Sequence, residues 1–260
     1  MGLKTSSILS EVEALFSQPN VTHPSDQKLR SEAEKYGTRT TFGNYVFHTM
    51  VKNRSAGATL YVGPDQVQSG PLTAKQQEIL KRVPETLEAV RRYLKIAPFV
   101  CVERSMGENP VFSPYCRTYV SVARPEMIRI AYMWGCLLFP PRKEPHPITQ
   151  HLVYIPEWQE KDRQILVFPE ENVTLVLGSD YLGESKKGHL RMGMWNAKKL
   201  GMLGIHAGAK LIRAQDAASD RAKKLKQGKK LIIGANQLGE INFIAEKYEQ
   251  NEHRSKEKLG

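Results

Sequence analysis

Cysteine is scarce in this chain of 260 residues: Cys101, Cys116 and Cys136 are the only three. Odd in number and without CxxC spacing, they exclude a disulfide scaffold and a zinc ribbon, and each reads as a small buried hydrophobe. No apolar run approaches the ~20 residues of a membrane span, and Met1-Gly2-Leu3-Lys4 opens no apolar signal core. The expectation is a cytoplasmic protein with no membrane partner. No repeat of fixed period and no low-complexity segment is present. Acidic residues are also in deficit, 27 against 38 Lys and Arg, for a formal charge of +11. About half of that excess falls in residues 221–260, which hold ten Lys/Arg against five Glu. No nucleic-acid module accompanies the charge, so a solvated basic tail is expected rather than a nucleic-acid partner.

What is present alternates between strand and helix. Residues 5–17 carry a helical stripe (Ile8, Leu9, Val12, Leu15, Phe16), Ser31–Tyr36 holds a short helix, and 38–47 reads as one extended stretch. Thr73, with Gln76 three residues on, caps a helical region to Lys95 that Pro84 is expected to split or kink. Strands follow at 98–103, 117–123, 151–155, 165–168 and 173–177, with a helix entered at Pro125. His146 and His151 lack metal-site spacing. The class is α/β, a mixed sheet flanked by helices.

Chemistry concentrates after the apolar run Val173–Leu177. Gly178-Ser179-Asp180-Tyr181-Leu182-Gly183-Glu184-Ser185-Lys186-Lys187-Gly188 brings a Gly-rich turn and two adjacent lysines that open a run of good helix formers. A helix start and lysines attract carboxylate or phosphate by the same electrostatics, so this reads as an anion-binding mouth. Met202-Leu203-Gly204-Ile205-His206-Ala207-Gly208 closes the stretch with a histidine in a second Gly-bracketed turn. Upstream, the basic loop Asn53-Arg54-Ser55-Ala56 leads into an apolar strand; a loop arginine forks a carboxylate better than lysine does, and a surface arginine is the plain alternative.

Tyr-x-Gly-Glu-x-Lys-Lys-Gly followed by an apolar-Gly-apolar-His turn resembles the ATP-dependent phosphoenolpyruvate carboxykinases. The resemblance runs from about residue 40 to 213 and implies that residues 1–213 are the N-terminal substrate lobe, with 214–260 a basic polar tail, partly disordered. By the same resemblance Arg54 and Lys186 hold the substrate anion, and Tyr181 lies beside the carboxylate that is lost or gained. Lys186 and Tyr181 are then the catalytic pair, while Lys187 and His206 ligate Mn²⁺ (or Mg²⁺). A lysine ligates only as the neutral amine, so Lys187 needs a depressed pKa. The chain has His206-Ala207-Gly208 where the family commonly has His-Cys-Ser, and only Arg54-Ser55 of the family's arginine loop.

The family's Gly-x-x-x-x-Gly-Lys-Thr phosphate loop occurs nowhere in these residues, so no nucleotide-binding residue is assigned. Leu231-Ile232-Ile233-Gly234 stands where its strand is expected. Three readings follow. The first is a substrate lobe that converts oxaloacetate and ATP to phosphoenolpyruvate, carbon dioxide and ADP only with a second chain carrying the phosphate loop. The second is a non-catalytic organic-acid-binding or scaffold descendant. The third is a basic polyanion-binding protein.

Overall fold

The computed structural model describes residues 7–63, 70–109, 111–144, 146–204, 208–213 and 229–234. Five helices are described: α1 (Leu9–Leu15), α2 (Asp26–Glu34), α3 (Ala74–Leu94), α4 (Ile128–Gly135) and α5 (Leu182–Lys199). Seven strands, β1 (Val21–Thr22), β4 (Thr59–Tyr61), β5 (Phe99–Ser105), β6 (Tyr115–Ser121), β7 (Thr149–Ile155), β8 (Gln164–Phe168) and β9 (Val173–Leu177), make one sheet. Its order is β1-β5-β6-β7-β9-β8-β4. Two pairings, β5–β6 and β8–β9, are antiparallel and the other four are parallel, so the sheet is mixed as the sequence implies.

The strands are apolar on both faces because helices cover both. Val153, Ile155, Leu166, Leu175 and Leu177 face a core completed by Ile8 at the N-cap of α1, Val12 and Leu15 within it, and Ile79, Val83, Leu87 and Val90 of α3. Their alternates Leu152, Tyr154, Ile165, Val167 and Val176 face a second core with Leu29 of α2, Ile130 and Trp134 of α4 and Met192 of α5. The result is three layers with the sheet in the middle.

Several boundaries differ from the sequence reading. The helix read as 31–36 begins at Asp26, because Ser25 caps it by accepting from the Lys28 amide. Residues 38–47 are two short antiparallel strands, β2 (Thr38–Arg39) and β3 (Tyr45–Val46), turned at Gly43 with φ +84°. Thr73 and Gln76 do form a reciprocal capping box, yet α3 runs unbroken through Pro84. Its buried stripe on both sides of the proline holds the helix where one lost backbone hydrogen bond does not break it. Cys101 and Cys116 are buried, but Cys136 is exposed, since α4 stops at Gly135 and the chain turns outward there.

The chain divides into two compact units, Met1–Leu203 and Gly204–Gly260. In the second unit β10 (Gly208–Arg213) pairs antiparallel with β11 (Lys229–Gly234), joining a strand placed in the lobe to one placed in the tail.

Candidate substrate-anion site

Topology brings Arg54 to the lysines. Thr59 at the start of β4 lies opposite Ile165 of β8, which in turn lies opposite Val176 near the end of β9. Because β8 and β9 are antiparallel, the loop entering β4 and the turn leaving β9 meet at one edge of the sheet. Carboxyl ends of strands are where open α/β sheets place their ligands.

The turn after β9 depends on glycine twice. Gly178 has φ +74°, and a Cβ there would sit 3.1 Å from the Trp158 carbonyl oxygen. At Gly183 a Cβ would lie 2.3 Å from the Tyr181 ring, so only glycine lets that ring fold back over the helix start. Tyr181 is the N-cap residue of α5 and offers no side-chain cap; its carbonyl accepts from the Tyr154 hydroxyl.

Two carboxylates of this turn grip the Arg54 loop. Asp180, 3% exposed, accepts from the Met50 amide at 2.7 Å and the Val51 amide at 2.8 Å. Its Oδ2 also takes the Arg129 guanidinium at 3.0 Å. Glu184, fully buried, accepts from the Ser55 amide at 2.6 Å. Arg54 lies between these anchors with its side chain exposed.

Helix α5 starts at Leu182, so Lys186 and Lys187 lie in its second turn and not at its mouth as the sequence reading had them. The anion attraction there comes from side-chain charge more than from the first free amides. Lys186 is exposed and Lys187 half-buried. Partial burial, then Lys186, Arg54 and Arg191, hold the Lys187 amine below the ordinary lysine range. Arg191, one helical turn beyond Lys187, was not singled out by sequence. Its guanidinium nitrogens are enclosed and find no hydrogen-bond partner among the described residues. Burial lowers its pKa; Arg54 lowers it further, and the neighbouring Tyr61 hydroxyl and Glu184 carboxylate raise it. The structure thus brings Arg54, Tyr181, Lys186 and Lys187 to one edge and adds Arg191. His206 lies outside the described residues.

The sequence model of phosphoenolpyruvate carboxykinase, ATP-dependent type, matches residues 18–220. The chain belongs to the phosphoenolpyruvate carboxykinase family. No curated protein matches it. The mixed sheet with helices on both faces fits the N-terminal lobe of a phosphoenolpyruvate carboxykinase, and the Tyr181–Gly188 motif falls inside the match. No described helix is long and apolar enough to cross a membrane.

His151, which sequence left without a role, is buried and stacks on Tyr119, while His146 accepts from the Ile148 amide through Nδ1. Among the described residues, no three His, Cys, Asp or Glu side chains group into a metal site. Lys187 is the one described residue of the expected metal pair, and its lowered pKa suits an amine ligand.

Proposed function

We propose that this lobe binds oxaloacetate or phosphoenolpyruvate through Arg54 and Lys186, with Tyr181 beside the carboxylate that is lost or gained. The observation that carries the reading is the gathering of Arg54, Lys186 and Arg191 around Lys187, with the Arg54 loop tied by Asp180 and Glu184 to the start of α5. Clustered positive charge attracts anions, and a di- or trianionic acid is the ligand it favours. Arg54, planar and exposed, forks a carboxylate. Lys186, a mobile point charge, follows the second anionic group. Loss of carbon dioxide from oxaloacetate leaves an enolate oxygen, and fixed cations stabilise charge where it develops.

Lys187 and His206 would hold a divalent metal, Mn²⁺ or Mg²⁺, which when bound supplies Lewis-acid polarisation of the substrate oxygen. Phosphoryl transfer from ATP needs a phosphate cradle that these residues do not contain, and in this reading a separate lobe or chain provides it.

The test is a thermal-shift titration with oxalate, a planar stand-in for the enolate of pyruvate, with and without Mn²⁺. A stabilisation that needs both ligands and disappears in Lys187→Ala and His206→Ala is expected. No shift at millimolar oxalate would reject acid binding by this lobe, and a shift unchanged in Arg54→Ala would reject the assigned residues.

A further inference from the structure

We infer that Asp180 and Glu184, with Arg129 behind Asp180, are positioning residues that hold Arg54 on the acid-binding edge; the inference rests on the reading of Arg54 as a carboxylate ligand. Nothing in the motif assigns these side chains a task. Their geometry does. Both oxygens of Asp180 are committed to backbone amides of the loop, and the Arg129 guanidinium, itself 5% exposed, neutralises the carboxylate. The other arm of Arg129 donates to the Glu126 carbonyl at the foot of α4, so the cation cannot swing away freely. Glu184 takes the amide that directly follows Arg54.

The three anchored amides belong to Met50, Val51 and Ser55, and they flank the exposed residues Lys52, Asn53 and Arg54 on both sides. A buried carboxylate is costly unless it is paired and hydrogen-bonded, and an apolar contact would fix a loop at less cost. What carboxylates at 180 and 184 add is direction. They are chain neighbours of Tyr181 and Lys186, so the segment that carries one half of the site grips the backbone that carries the other. Arg54 and Tyr181 therefore keep their spacing, which a bidentate carboxylate contact requires within a fraction of an ångström.

The experiment is a double-mutant cycle on the full chain, with oxalate affinity measured by calorimetry in the presence of Mn²⁺. Asp180→Asn keeps the size but turns an amide NH2 donor toward one of the two backbone donors. Oxalate affinity is expected to fall on the order of tenfold, the loss of about one charge-assisted hydrogen bond. In the Arg54→Ala background the same change should cost less than twofold, because Asp180 acts only through Arg54. An equal loss in both backgrounds would overturn the inference, since a merely structural defect is additive. If Asp180→Asn does not fold, Glu184→Gln, which touches the loop at Ser55 alone, carries the cycle.

Absence of oxalate binding by the wild type would sink the reading of the site. Amide exchange then decides the inference separately. Slow exchange at residues 50, 51 and 55, made fast at 50 and 51 by Asp180→Asn while β9 stays protected, supports the anchoring. Amides already fast in the wild type refute it.

Discussion

Two imidazoles locked inside the protein make its stability depend on pH. His189, on the inner face of α5, is fully enclosed, with the Trp134 ring centroid 5.0 Å from its own. Its Nε2 lies 2.8 Å from Thr118 Oγ1. With the Gln150 amide nitrogen turned toward it, Nδ1 accepts and the Gln150 oxygen takes the Gly193 amide, which assigns the proton to Nε2. Burial, then the nearby His151, lowers His189 to about 3. Burial, then Arg117, lowers His151 to about 4. An unfolded imidazole titrates near 6.5. Both folded values are depressed, so between these limits the unfolded chain binds protons that the folded chain refuses. Stability is therefore full above about pH 6.5 and falls as the pH drops toward 4 and 3. At pH 5 the unfolded imidazole is about 97% protonated and the folded one 10% or less, a cost of about 2 kcal/mol per histidine, or about 4 for the pair. Against a typical stability of about 5–15 kcal/mol that is a large fraction. Urea unfolding followed by circular dichroism at pH 8, 7, 6 and 5 measures it. His189→Gln should reduce the loss between pH 8 and pH 5 by about 2 kcal/mol, whatever its effect at pH 8, and His151→Gln should do likewise. Parallel pH profiles for wild type and both variants would refute the reasoning.

Other expectations are as direct. Arg191→Met removes an enclosed cation whose burial costs more than its Tyr61 and Glu184 neighbours return, so without ligand it should stabilise by about 1–2 kcal/mol while weakening oxalate binding; a lower urea midpoint would show that those neighbours outweigh the burial. Gly178→Ala forces a left-handed residue and a 3.1 Å approach to the Trp158 carbonyl, so a loss of about 1–3 kcal/mol is expected, and an unchanged melting temperature would contradict it. Thiol titration of the folded chain should find one fast cysteine, Cys136, because burial pushes the Cys101 and Cys116 thiols far up; two or three equally fast thiols, or a fast one surviving Cys136→Ser, would count against that.

Much of the fold was written locally. Val173–Leu177 is apolar except at Thr174 and buried at every position, which fits a strand covered on both faces, and Thr73 with Gln76 announces the start of α3. The start of α5 was obscured because Tyr181 has no capping oxygen and Gly183 sits in its first turn, so the lysines looked like the opening of the helix. Pro84 misled in the other direction: its local cost is real, but the buried stripe from Ile79 to Val90 outweighs it. For the proposed site, Tyr181, Lys186 and Lys187 come from the family motif and Arg54 from the family's arginine loop, and the fold ties that loop to the turn before α5. Glu184 stood inside that motif and Asp180 one residue before it, both in plain view. Their task was not legible, because their partners are backbone amides 129 and 130 residues away, which leave no mark in side-chain identity. Arg191 offered only its i+4 spacing from Lys187.

The distance along the chain between the two halves of the site also orders events in time. Met50 is synthesised 130 residues before Asp180, its anchor, and at ~5–20 residues per second the wait is on the order of ten seconds. Until β9 and the turn behind it have left the ribosome, the stretch from Met50 to Ser55 is a basic loop without its fastenings. During that interval a protease or an acidic surface meets a segment that the finished protein holds still. A nascent chain stalled before residue 180 should be cut between 50 and 55, whereas the completed chain should resist.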